Sequence, residues 1–140
     1  GVPYLDGGIA DSVPVRQAEK DRYGRIFAVL TQPRGYRKKA PRPSRDRHRS
    51  PFSSLFYRRY PELVTALNTR NERYNETMDY IDKMESEGRI FVLRPEPQPG
   101  LSRLERNPER LNGLHRSGYR DMEENFQRLG EYLAGGSLCS

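Results

Sequence analysis

The apolar positions of this chain fall into three short runs and two long helical stripes. Val2 to Leu5 reads as the end of a strand. Ile26-Phe27-Ala28-Val29-Leu30 is unbroken and rich in strand formers, the pattern of a strand covered on both faces. Between them, Pro14 suits a first helical position, with Asp11 or Ser12 available to cap. This short helix is expected to end by Tyr23-Gly24, the glycine taking a left-handed stop. Strand, helix and strand in about 30 residues make a βαβ unit with parallel strands 2–5 and 26–31. Thr31 to Ser54 has no periodicity and reads as loop. Tyr60-Pro61 opens a helix whose stripe is Leu63, Leu67, Tyr74, Met78, Ile81 and Met84, closed by Gly88. At 1.5 Å per residue it would run about 40 Å. Arg89 to Arg94 gives a further strand, which Pro95, Pro97 and Pro99 end in an extended segment. Asn107-Pro108-Glu109 is a helix start: a cap, a proline, then an acid in the first turn. Leu111, Leu114, Tyr119, Met122, Phe126, Leu129 and Leu133 form its stripe, expected to pack in a core or against another helix. Gly118 within it suggests close packing. Gly135-Gly136-Ser137 begins a flexible tail.

Charge changes this picture in one place. The net charge is +6, and 31% of the residues are charged against 34% hydrophobic. Between Arg34 and Arg59 stand ten basic residues and one acid, so that segment is +9 and the remainder −3. The chain thus holds a modest core, solvated helices and one basic loop. Three parts follow: a βαβ unit over 1–33, the basic loop over 34–59, and a helical extension with one strand over 60–140. The single cysteine, Cys139, excludes a disulfide framework and points to a reducing, cytoplasmic compartment. No apolar run approaches the ~18 residues of a membrane span.

The candidate chemistry lies at Asp6-Gly7-Gly8. A carboxylate at a sharp strand-to-helix turn is exposed at a sheet edge, where α/β enzymes place reacting groups. The stretch from Tyr4-Leu5-Asp6-Gly7-Gly8 through Pro14-Val15 to Val29-Leu30-Thr31-Gln32-Pro33-Arg34-Gly35-Tyr36-Arg37-Lys38 resembles the patatin-like phospholipase family. Its bacterial members with a C-terminal helical extension are also similar at Tyr60-Pro61-Glu62-Leu63 and at Arg70-Asn71-Glu72-Arg73-Tyr74-Asn75. The resemblance implies the C-terminal part of a patatin-like α/β fold and a serine acyl hydrolase, a phospholipase or esterase acting on a lipid or small ester. In that family the aspartate of Asp-Gly-Gly partners a serine on a Gly-x-Ser-x-Gly elbow. Asp6 matches the aspartate, and Gly7 and Gly8 the supporting turn. The chain has no Gly-x-Ser-x-Gly and no glycine-rich oxyanion loop. A carboxylate alone cannot attack an ester. The nucleophile is therefore expected in a preceding N-terminal half, and this chain alone is expected to be inactive.

The basic loop reads most plainly as a solvated, mobile loop, and two functional readings stand beside that one. If strands 2–5 and 26–31 end at one sheet edge, Arg34, Tyr36, Arg37 and Lys38, with Lys39, leave the sheet beside Asp6. There they would meet an anionic headgroup or a membrane surface peripherally. The alternative, from another class, is a non-catalytic module whose basic loop binds anionic membrane or nucleic acid. Nucleic acid is the weaker case, since no base-reading element is present. His48 and His115 have no ligand-spaced partners, so no metal is expected, and the dyad implied by the resemblance needs no cofactor.

Overall fold

The computed structural model describes residues 4–39, 59–97 and 105–135. Val2 and Pro3 of the first expected strand, residues 40–58 of the basic loop with His48, and residues 136–140 of the tail lie outside them. The described chain is mixed α/β. A 3₁₀ turn at Gly7–Ile9 is followed by α1 (Val15–Lys20), β1 (Phe27–Val29), α2 (Pro61–Asn68), α3 (Arg70–Ser86), β2 (Phe91–Leu93) and α4 (Pro108–Leu133). These sort into two compact units, one of Gly1–Pro14 with Arg37–Tyr80, the other of Val15–Tyr36 with Ile81–Ser140.

The second unit is built on a two-stranded parallel sheet in which Phe27, Ala28 and Val29 face Phe91, Val92 and Leu93. Among the described residues the neighbour of β1 is therefore β2. Tyr4 and Leu5, expected to end the first strand, belong to no strand and are exposed, and the strand paired with β1 lies more than sixty residues downstream. The continuous apolar run 26–30 is not covered on both faces either. Phe27 and Val29 are exposed, Ala28 is half-buried, and Leu30 is buried.

The buried face of the sheet is β2. Phe91 packs with Leu129 and Tyr132 of α4, with Met122 against the cluster. The Phe91 ring meets Phe27 edge-on at 5.7 Å and Tyr132 at 5.9 Å. The Tyr132 hydroxyl accepts from the Ile26 N–H at 3.1 Å and lies 3.0 Å from the Arg89 carbonyl and 3.2 Å from that of Ile26. One side chain thus holds the backbone just ahead of both strands. Arg94 follows β2 and grips Asp82 and Glu85, one turn apart on α3, at 2.6 Å each. Glu85 also takes Arg34 at 2.7 Å. Arg89 pairs with Glu19 and Glu87.

Helix ends follow local chemistry in two cases. The Asn107 carboxamide caps α4 by accepting from Glu109 N–H at 2.9 Å and Arg110 N–H at 3.4 Å, with Pro108 first in the helix. Glu105 supports the same start: its carboxylate accepts from the Asn107 and Arg106 amides and from Arg110. The Asn107 amide, first, and then the Arg110 guanidinium hold its pKa below the ordinary 4.5. Gly88, at φ +68°, stops α3. Arg89 N–H reaches back to the Met84 carbonyl at 2.9 Å and Gly88 N–H to that of Glu85 at 3.0 Å, the pair of bonds that satisfies a helix C-terminus. The stop after α1 is different: Arg22, not Gly24, takes the left-handed conformation, at φ +59°.

Two other expectations are revised. The long helix from Pro61 is broken at Thr69 (φ −90°, ψ 0°) into α2 and α3. The Ala66 carbonyl, which an unbroken helix would pair with Arg70 N–H, accepts the Arg73 guanidinium at 2.7 Å. A side chain inserted into the ladder kinks the helix there. Met78, Ile81 and Met84 of its stripe are buried, whereas Leu67 is exposed. On α4 only Leu129 and Tyr132 are buried, and Leu111, Leu114, Tyr119, Phe126 and Leu133 face solvent. The sheet is too short to cover a helix of about 39 Å.

Candidate functional site

Asp6 sits in the first unit as the cap of the 3₁₀ turn, not at a strand end. Its backbone is extended (φ −56°, ψ 124°) and its Oδ1 accepts from the Gly8 N–H at 2.7 Å. Ile9 N–H returns to the Asp6 carbonyl at 3.1 Å, and Ala10 and Asp11 N–H both reach the Gly7 carbonyl at 2.9 Å. Ser12 Oγ donates to the Gly8 carbonyl at 3.0 Å, and Asp11 Oδ1 accepts from Val13 N–H at 3.1 Å. At position 8 the fit is tight: a Cβ there would lie 3.1 Å from Asp6 Oδ1, pressing on the carboxylate that the amide holds. Gly7 has no such neighbour. Asp6 itself is exposed. Its Oδ2 carries no hydrogen bond among the described residues. Chemically this is a carboxylate with one oxygen fixed by an amide and the other available to accept a proton.

The side chains that hold the turn come from α3. Arg73 Nη2 donates to the Ile9 carbonyl at 3.0 Å as well as to Ala66 at 2.7 Å. Asn75 brackets Lys38, accepting from its N–H at 2.8 Å and donating to its carbonyl at 2.9 Å. Asn71 donates to the Lys39 carbonyl at 2.7 Å. Asn71, Arg73 and Asn75, at every second position, thus tie both the Asp6 turn and the 38–39 backbone to one helix. The sequence signalled these residues only through the resemblance at 70–75; their role as clamps was not readable from spacing, because their partners are backbone atoms at least 32 residues away or across the kink.

The proposed cation set is largely engaged within the chain. Arg37 pairs with Asp79 at 2.6 Å through Nη2 and 3.1 Å through Nε. The Lys38 ammonium lies over the Tyr74 ring, 3.8 Å from its centroid. Arg34 pairs with Glu85 in the second unit. Lys39 is exposed. Arg37, Lys38 and Lys39 share with Asp6 the unit whose turn and backbone α3 holds. No group of three His, Cys, Asp or Glu side chains among the described residues is placed to hold a metal ion. No helix among them is long and apolar enough to cross a membrane.

Neither the curated proteins nor the solved structures contain a match to this chain. A family model does match, over residues 60–134, which take in α2, α3, β2 and α4. The matched segment includes the clamps Asn71, Arg73 and Asn75 and the strand-holding Tyr132, and it excludes Asp6 and β1. Covering more than half of the chain, that match shows that the protein belongs to the family of the domain of unknown function DUF6363.

Proposed function

We propose that this chain is the C-terminal part of a patatin-like serine acyl hydrolase and supplies, in Asp6, the base of a Ser–Asp dyad. The observation that carries the reading is the Asp6-Gly7-Gly8 turn: an exposed carboxylate with Oδ1 fixed by the Gly8 amide and Oδ2 open. Fixing one oxygen orients the other, which is what a base must offer to a neighbouring hydroxyl. The serine would come from sequence outside these 140 residues, on a Gly-x-Ser-x-Gly elbow. Asp6 Oδ2 takes the hydroxyl proton as the serine oxygen attacks the ester carbonyl. The alcohol leaves with a proton, and water then hydrolyses the acyl-serine. Amide donors supplied with the serine would stabilise the oxyanion. On this reading Arg73 is a positioning residue, acting through the Ile9 carbonyl on the turn. Lys39 and the basic segment would contribute peripheral contact with an anionic surface.

The test uses the intact parent enzyme and a short-chain p-nitrophenyl ester. Asp6→Asn preserves the shape and the Gly8 contact but removes the base, and turnover should fall by about 10² or more. Near-normal turnover by that variant would refute the assignment.

A further inference from the structure

Two arginines of α3 stand without a counter-charge. Arg70 Nε and Arg73 Nε are both shut off from water with no hydrogen-bond partner among the described residues, and both residues are half-buried. Neither pairs with a carboxylate there, whereas Arg37, in the same unit, has Asp79. Arg73 uses Nη2 on the Ile9 and Ala66 carbonyls. Arg70 makes no side-chain hydrogen bond among the described residues.

A cation partly removed from water and left unpaired is costly, and an orphaned buried donor calls for a reason. The remaining guanidinium nitrogens, both Nη of Arg70 and Nη1 of Arg73, lack partners too but are not shut off from water. The delocalised charge is thus offered at the surface. Positions 70 and 73 share one face of α3, with Cβ atoms about 5–6 Å apart. A single tetrahedral oxyanion can bridge two forks so placed. Phosphate suits them better than a carboxylate, because its double charge matches two cations and its oxygens are enough for both guanidinium groups.

We propose that Arg70 and Arg73 bind a phosphate group, carried on a lipid headgroup or free in solution. Arg73 also holds the Ile9 carbonyl at the end of the Asp6 turn, so the phosphate shares a guanidinium with the element that positions that carboxylate. On the acyl-hydrolase reading the phosphate belongs to the substrate's headgroup. Binding itself does not rest on that reading and is measured without turnover.

Thermal unfolding and calorimetric titration of the intact parent with inorganic phosphate test this, against sodium chloride at matched ionic strength. A ligand that binds only the folded state raises Tm, so phosphate should raise the wild-type Tm above the chloride control. Affinity should fall about tenfold or more in Arg70→Gln, the scale of losing one hydrogen bond to a charged group. Arg70→Lys keeps the charge without the fork and should fall between the two. Circular dichroism should be unchanged in both variants, since Arg70 holds nothing among the described residues. Glycerol 3-phosphate separates the sources: tighter binding than inorganic phosphate assigns the site to a headgroup, and equal or weaker binding assigns it to free phosphate. Phosphate acting no more strongly than chloride, or binding Arg70→Gln as well as wild type, would overturn the proposal. A parent that binds phosphate through Arg70 but hydrolyses no ester would refute the hydrolase reading and leave this site standing.

Discussion

Removing the Tyr132 hydroxyl should loosen the sheet more than the loss of one oxygen suggests. Tyr132 is 1% exposed and its ring packs against Phe91. In Tyr132→Phe the ring and its contact with the Arg25 guanidinium, 4.9 Å away, are retained. What disappears is the acceptor of Ile26 N–H and the donor nearest the Arg89 carbonyl. The Ile26 carbonyl keeps Phe91 N–H at 3.0 Å, so it is not orphaned. Leaving a buried donor or acceptor unpaired costs about 1–3 kcal/mol. Both groups here are only partly buried, so the low end applies to each and the sum is about 2 kcal/mol. Against a typical domain stability of about 5–15 kcal/mol that is a large fraction. Tyr132→Ala removes the ring too, and large-to-small changes at buried aromatics cost about 3–5 kcal/mol. Urea unfolding should show a lower midpoint for Tyr132→Phe at unchanged slope, and a still lower one for Tyr132→Ala. Native-state hydrogen exchange should speed at Ile26 and Phe91. A Tyr132→Phe stability within about 0.5 kcal/mol of wild type, the range of an ordinary surface change, would refute the reasoning.

Two further outcomes follow from named contacts. Glu105 has a lowered carboxyl pKa in the folded chain. Its contribution is therefore fully present above the ordinary 4.5 and is lost as pH falls through the lowered folded value. Helicity of α4 should fall over that acid range in wild type, and Glu105→Gln should flatten the change, as followed by circular dichroism; identical acid profiles would contradict it. Replacing Arg37, Lys38 and Lys39 together with glutamine in the parent should weaken sedimentation with anionic vesicles. High salt should act in the same direction, since exposed charges are screened over about 8–10 Å; equal, salt-insensitive binding by both proteins would remove the surface role.

What the sequence made legible was local. The cap at Asn107, the proline after it and the glycine stop at Gly88 act within one turn, and the chain shows each where it was expected. The strand at 26–30 was visible as a run, but its partner was not. A three-residue strand carries no register signal, and β2 is as plausible a neighbour as residues 2–5 until the backbone is traced. Tyr132 escaped the stripe because the pattern was followed in steps from Leu129 to Leu133, whereas burial proceeds by three to Tyr132. The break at Thr69 depends on a guanidinium seven residues from the carbonyl it takes, which no apolar period reports. At the candidate site the Asp-Gly-Gly turn was readable in the motif itself, a carboxylate followed by two glycines ahead of Pro14. Its strand-end setting was not, because Tyr4 and Leu5 are apolar without being paired or buried.

The central claim, that Asp6 activates a serine, is tested most directly by fluorophosphonate labelling, which reads serine nucleophilicity without waiting for turnover. In the intact parent the probe should modify a single serine outside these 140 residues, and Asp6→Asn should slow that labelling about 10²-fold or more. Labelling at the same rate in the Asp6→Asn parent, or no activated serine in the wild-type parent, would contradict the account.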